Sequence, residues 1–271
     1  MDLQLRGRAA LVTGAGRGIG AAIALHLSRE GVQVAVNDID GAAARGVAAD
    51  IVSGGAISLG IEADVTKRDQ VENMVSKVLS EFGRLDILIN NAGIVYDSAD
   101  PIARKLFQES SCEDWHKEID LILYGTMNCT KAVLEHMIQQ RYGRIINISS
   151  DVGKTPLGLK GTSIYSTGKA GMNALTRSLA TELAAYGITV NAVSPGMVRT
   201  TRASRAEEQK EKKPREYEYY KSFEKTVLGL IPLGRMGDPD DVAKLVVFLA
   251  SGAAGWITGQ AVSVNGGLVM M

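Results

Sequence analysis

The chain is short of the residues that build metal and disulfide sites. Only two cysteines, Cys112 and Cys129, and three histidines occur in 271 residues. None falls at a CxxC or other metal-ligand spacing, so no metal centre is expected. Two isolated thiols fit a reducing compartment, and a cytoplasmic location is the expectation. An excess of charge of one sign is also lacking, because thirty Lys and Arg offset thirty Asp and Glu. A neutral chain has no global attraction to nucleic acid or to an anionic membrane, so neither is expected as a partner. Nor does it have net self-repulsion to oppose association. No apolar run approaches membrane-spanning length. The opening MDLQLRGRAALVTG runs straight into a strand pattern, without the charged, apolar and cleavage regions of a secretory leader. Repeats, linkers and low-complexity tracts are missing, and 45% hydrophobic residues over this length suit one domain with a substantial core.

What is present is an alternation. Short apolar runs occur at RAALVTG (8–14), VQVAVND (32–38), AISLGIEADV (56–65), LDILINNAG (85–93), RIINISS (144–150), ITVNAVSPG (188–196) and AVSVNGG (261–267). Helical patterns follow the first three, over about 19–30, 41–53 and 67–82. Strands alternating with helices predict a parallel sheet covered on both faces, a doubly wound, Rossmann-like α/β fold in a single domain over 1–271. Right-handed crossovers then bring every strand's C-terminal end to one edge, where ligands bind. Residues 201–226 break the rhythm with dense charge.

TGAGRGIG (13–20) stands between the first strand and the first helix. Gly14 permits a tight turn, Gly18 a close approach of backbone to a pyrophosphate, and Gly20 close packing of helix on strand. The helix N-terminus adds free N–H groups and positive dipole. Gly14, Arg17, Gly18, Ile19 and Gly20 are therefore candidate dinucleotide-binding residues. Asp38 ends the second strand, 18 residues after Gly20. A carboxylate there accepts from ribose hydroxyls and repels a 2′-phosphate, which favours NAD over NADP. Arg17 argues the other way, since a guanidinium in the turn can reach a phosphate.

In order, these segments resemble the short-chain dehydrogenase/reductase family over nearly the whole chain. The match comprises TGAGRGIG, NNAG (90–93), Ser150 at the end of the fifth strand, YSTGK (165–169), SPGMVRT (194–200) and ITGQAVSVNGG (257–267). The resemblance implies Tyr165 as acid/base, Lys169 as its partner and Ser150 as a hydrogen-bond donor to the substrate oxygen. Tyrosine ordinarily ionises near ~10, and a neighbouring ammonium favours the phenolate. Residues four apart share a helix face, so both can act at one cofactor. The resemblance also places Asp64 and Val65 at the adenine, and Asn90, Asn91, Ala92 and Gly93 beside the cofactor ribose. It sets Pro195, Gly196, Val198 and Thr200 around the nicotinamide, with Thr200 on the carboxamide. Asp64 is equally suited to cap the helix that follows it, and NNAG to make a turn. The family is usually tetrameric, with the long helix before the fifth strand and the 162–185 helix as dimer surfaces, so a homo-oligomer is expected.

Several positions depart from the family pattern. Ile122 stands where the family often has a catalytic asparagine three residues before a glycine, here Gly125. That asparagine locally distorts its helix so that a backbone carbonyl can hold a water near the lysine, and isoleucine puts this relay in question. Asn128 is on the wrong face of a helix to replace it. The loops 94–112 and 151–164 are long, and Asn265 replaces a common aspartate. Ser110 with Glu113 fits a capping box.

The leading expectation is an NAD(H)-dependent oxidoreductase moving hydride between nicotinamide and a secondary alcohol or ketone. An alternative keeps the chemistry and takes a 3-oxoacyl thioester of CoA or acyl-carrier protein. A further alternative is a weakly catalytic dinucleotide-binding sensor or scaffold. Residues 201–226 are expected to form a substrate lid; from Arg202 to Lys225 they carry eight cations and six anions. Tyr217, Tyr219 and Tyr220 are candidates to line the pocket or pack the lid.

Overall fold

Seven parallel strands turn the alternation into one sheet, in the order β3-β2-β1-β4-β5-β6-β7. They are β1 (Ala9–Val12), β2 (Gln33–Asp38), β3 (Ser58–Glu62), β4 (Ile87–Asn90), β5 (Gly143–Ile148), β6 (Ile188–Pro195) and β7 (Ala261–Val264). The computed structural model describes residues 2–93, 105–199 and 214–270. Every residue of β1, β4, β5 and β6 is buried, as expected of strands covered on both faces. Most strands are shorter at their ends than the apolar runs suggest, because the glycine and polar residues that close each run belong to the turns.

Alternate residues face opposite layers. On one side Val12, Val36, Ile89 and Ile148 pack with Ile23 and Leu27 of α1 (Gly18–Arg29), and with Ala44 of α2 (Gly41–Ser53). On the other, Leu11, Leu88, Ile145 and Val190 pack with Val71 and Val78 of α3 (Arg68–Phe82) and with later helices. Each such Val, Leu or Ile side chain contributes about 1.5–3 kcal/mol on full burial.

The long helix before β5 is interrupted. It comprises α4 (Cys112–Ile119), a π-helical turn (Asp120–Tyr124) and α5 (Gly125–Gln139). α6 (Ser163–Leu183) precedes β6 and α7 (Pro214–Leu228) follows it. α8 (Pro239–Ala250), which no sequence motif marked, starts with Asp238 as N-cap, Pro239 at its first position and Asp241 completing a capping box. Another capping box lies one residue beyond its expected place. Ser111 caps α4 and bonds reciprocally with Asp114, while the Ser110 hydroxyl accepts from Trp115 Nε1 at 2.7 Å. The S-x-x-acid pattern fits both registers, and the Phe107–Trp115 ring stack favours the observed one. No helix among the described residues is long and apolar enough to cross a membrane.

The chain leaves β1 toward one edge of the sheet and, after β3, returns to β4 on the other side of β1. The loops after β1 and β4 therefore diverge, and a crevice opens between them at the C-terminal edge. The glycine turn and NNAG both lie there.

Candidate active site

One half of the crevice is made largely of backbone. Gly14 and Gly18 have φ of +58° and +59°, in the left-handed region that favours glycine. A Cβ on Gly14 would come within 2.8 Å of Ala92 Cα, and one on Gly20 within 2.6 Å of the Gly14 carbonyl. The turn, NNAG and the start of α1 thus interlock with no room for side chains. Asn91 ties them, its Nδ2 donating to the Thr13 and Gly14 carbonyls at 2.9 and 2.8 Å. The Thr13 hydroxyl accepts from the N–H groups of Asn91 and Ala92 at 3.0 and 3.2 Å. The side chain of Asn91 accordingly builds the turn. That of Asn90 points into the core, donating to Asn147 Oδ1 at 2.9 Å and Thr130 Oγ1 at 3.2 Å, rather than toward a ribose.

Asp38 lies at the rim of this turn. Its Oδ2 accepts from the Gly16 N–H at 2.9 Å and its Oδ1 from the Asp40 N–H at 3.0 Å. A carboxylate has about four lone-pair positions, so two remain after these bonds. Arg17 Nη2 donates to Asp40 Oδ2 at 2.8 Å. The Ala43 N–H and the Arg17 guanidinium hold the Asp40 carboxyl below its usual range. Gly16 and Asn37, whose carbonyl accepts from the Ala15 N–H at 2.7 Å, are parts of this site the sequence reading did not single out. Gly16 carried a visible signal as the second glycine of TGAGRGIG, whereas Asn37 carried none.

Asp64 caps its own loop: Oδ1 accepts from both the N–H and the hydroxyl of Thr66. The Val65 carbonyl accepts from Asn128 Nδ2 at 3.0 Å. Asn128 thus faces the β3–α3 loop.

The other half of the crevice is made of side chains. Lys169 is 2% exposed, and its Nζ donates to the Ile148 carbonyl at 2.6 Å. Nζ lies 5.7 Å from the centre of the Tyr165 ring, one helical turn earlier on α6. A Cβ on Gly93 would stand 2.8 Å from Nζ, so the loop after β4 closes directly on this ammonium. Ser150 follows β5 and opens a 3-10 turn (Asp151–Gly153). Two contacts press this turn on α6. Ser149 Oγ donates to the Lys169 carbonyl at 3.2 Å, and a Cβ on Gly153 would meet the Lys169 backbone at 2.8 Å. The fold thereby brings Tyr165, Lys169, Gly93 and the turn that Ser150 opens to one place.

The π turn packs against Gly168, the residue before Lys169 on α6. The Gly125 N–H donates to the Asp120 carbonyl, five residues back. Ile122 is buried, and its Cγ2 would lie 3.1 Å from a Cβ on Gly168. Its carbonyl accepts from Thr126 Oγ1 at 2.7 Å. The helix is thus distorted without an asparagine at this position.

Gly196 donates its N–H to the Val264 carbonyl at 3.0 Å, and Val198 bridges Gly237. Pro195 ends β6 beside them. Arg199 Nη2 donates to Glu224 Oε1 at 2.8 Å, which joins this segment to α7. Thr200 and residues 201–213 of the expected lid lie outside the described residues, as do the side chains of Tyr219 and Tyr220.

Residues 14–269 match a family profile described as enoyl-(acyl carrier protein) reductase. The chain is 41% identical over 268 residues to a 3-oxoacyl-[acyl-carrier-protein] reductase of Synechocystis, covering 98% of each. It is 38% identical over 263 residues to the (2S)-[(R)-hydroxy(phenyl)methyl]succinyl-CoA dehydrogenase subunit BbsD of Thauera aromatica, covering 97% of each. A short-chain type dehydrogenase/reductase from Mycobacterium marinum superposes with a TM-score of 0.87 at 33% identity, over 100% of this chain and 99% of that one. Fold, motif order and full-length likeness agree, and the chain belongs to the short-chain dehydrogenase/reductase family.

Proposed function

We propose that the chain is an oxidoreductase that interconverts a 3-oxoacyl thioester and its 3-hydroxy form with a nicotinamide cofactor. The placement of Lys169 carries this reading: a buried ammonium held between Gly93, the Ile148 carbonyl and the Tyr165 ring, at the crevice edge. Two of its relatives are named for acyl-carrier-protein or CoA substrates, which favours a thioester over a simple ketone.

The glycine cradle fits a dinucleotide. Side chains are kept out of the turn, and α1 has no acidic residue in its first turn to repel a pyrophosphate. Gly14, Gly18, Ile19 and Gly20 would hold it, with Asp64 and Val65 at the base and Pro195, Gly196, Val198 and Thr200 at the nicotinamide. Asp38 retains two lone-pair positions for two ribose hydroxyls, and Arg17 is drawn to Asp40, so NAD is the proposed cofactor. When bound, the nicotinamide supplies or accepts the hydride. The Tyr165 hydroxyl gives a proton to the carbonyl oxygen, and Lys169 stabilises the phenolate left behind. The Ser150 hydroxyl donates to the same oxygen as negative charge develops on it.

The sensor alternative needs Ile122 to break the proton relay, and the π turn packed against Gly168 forms without an asparagine. We also propose a lid over the substrate in 201–226, to which the Arg199–Glu224 ion pair lends an anchor. Exposed Tyr124 and Met127 on the α5 side support association of copies through the expected helical surfaces.

The test follows oxidation of NADH and NADPH side by side, with acetoacetyl-CoA and a panel of simple ketones. The expected result is turnover of acetoacetyl-CoA with NADH preferred. Preference for NADPH overturns the role of Asp38. Turnover of simple ketones alone overturns the thioester assignment.

A further inference from the structure

A buried carboxylate that the proposed chemistry does not use stands next to Ser150. Asp151 has no exposed surface. Its Oδ1 accepts from Ser263 Oγ at 2.9 Å and its Oδ2 from Asn265 Nδ2 at 2.6 Å. Both donors come from β7 and the turn that follows it, more than a hundred residues along the chain. Lys154 completes the cluster, its Nζ donating to Ser263 Oγ at 2.9 Å and to the Ala261 carbonyl at 2.8 Å. The 3-10 turn that begins at Ser150 is thus fastened to β7 on one side and pressed against Lys169 on the other.

Asn265 is fully engaged. Its Nδ2 donates to the Val269 carbonyl at 2.8 Å as well as to Asp151, and its Oδ1 accepts from the Gly267 N–H at 3.0 Å. Its Cβ would lie only 2.7 Å from a Cβ on Gly196. One side chain therefore abuts both the serine turn and the segment placed at the nicotinamide. An amide at 265 supplies the donor that Asp151 Oδ2 accepts from. An aspartate there would replace that donor with a second carboxylate facing the first in a buried site, leaving Ser263 as the remaining side-chain donor to Asp151. Asn265 is thus the complement of Asp151.

We propose that Asp151 and Asn265 are a carboxylate–amide pair that positions the Ser150 hydroxyl relative to the Gly196 segment. The inference rests on the reading of Ser150 as the donor to the substrate oxygen. Neither residue touches the reacting atoms, so both are positioning residues. Displacing a reacting group by about 1 Å can lower turnover by up to ~10²-fold without weakening substrate binding, and that signature separates positioning from mere support.

The experiment measures kcat and KM for acetoacetyl-CoA, the dissociation constant of NADH, and thermal stability. It compares the natural chain with Ser150→Ala, Asn265→Asp, Asp151→Asn and the exchanged double variant carrying both of the last two. Asn265→Asp is expected to lower kcat about tenfold or more, with KM and NADH affinity within about twofold. The exchanged variant, which again pairs one carboxylate with one amide but leaves the Val269 carbonyl without its donor, is expected to recover part of that loss. Natural kcat in Asn265→Asp, or an exchanged variant no better than the single one, overturns the pair. If Asn265→Asp does not fold, Asp151→Asn decides: a fall in kcat with KM unchanged supports the pair, and unchanged kcat overturns it. Full activity in Ser150→Ala instead overturns the reading of Ser150, and the inference falls with it.

Discussion

The two halves of the crevice are built from different materials. The half between β1 and β4 is mostly backbone, with glycines at φ of +58° and +59°, carbonyls gripped by Asn91, and a carboxylate steadied by two N–H groups. The half between β5 and β7 is mostly side chains, each held by partners distant in sequence: Lys169 by Ile148, Asp151 by Ser263 and Asn265, and Asn147 by Thr176. Backbone groups at a helix start suit a ligand whose phosphates look alike in every dinucleotide. Side chains suit the half in which the proposed reaction moves a proton and selects its substrate. Errors in the first half should appear as lost affinity, and errors in the second as lost turnover.

The largest expected effect tests the side-chain half. Tyr165→Phe removes one hydroxyl and keeps the ring beside Lys169. It should lower kcat by about 10²–10⁴-fold and leave the dissociation constant of NADH, read by fluorescence titration, nearly unchanged. Equal loss of both would erase the division between the halves.

Gly14→Ala tests the backbone half. An L-residue in the left-handed region is disfavoured by about 1–2 kcal/mol, and the new Cβ would press on Ala92 Cα at 2.8 Å. NADH affinity should fall about tenfold, with a smaller loss of kcat at saturating cofactor. A kcat defect at full affinity would mean that the turn governs chemistry as well as binding.

The smallest effect is expected at Ile122→Asn. The π turn already exists, closed by the Gly125 N–H on the Asp120 carbonyl and packed against Gly168. Restoring the family residue should change kcat by less than about threefold in steady-state assays. A much larger rise would show that a proton relay is broken in this chain.

The glycine turn was legible in the sequence because its constraint is local. A positive φ favours glycine and a missing Cβ demands it at the position itself, although Gln4 and Arg141 show that a positive φ alone does not. The Tyr165–Lys169 pair was legible for a similar reason, since a spacing of four maps directly onto one helix face. Asn90 and Asn91 show the limit. They are neighbours in sequence, yet one amide builds the glycine turn and the other bonds Asn147 in the core. Opposite pleats of one strand end divide them, and NNAG does not say which faces which way. Ile122 shows another limit, because the helix distortion associated with an asparagine is present without one.

By itself the sequence determined the strand–helix order, the parallel sheet, the glycine turn and the spacing of Tyr165 and Lys169. All of these follow from periodicities of two and 3.6 or from the steric demands of single residues. Only the tertiary structure decided that Asp151 meets Asn265, 114 residues away, and that Lys169 Nζ lies between Gly93 and Ile148. Those meetings depend on the sheet order and on the register of β5, β6 and β7. A buried polar group takes whichever partner the register brings within hydrogen-bond reach.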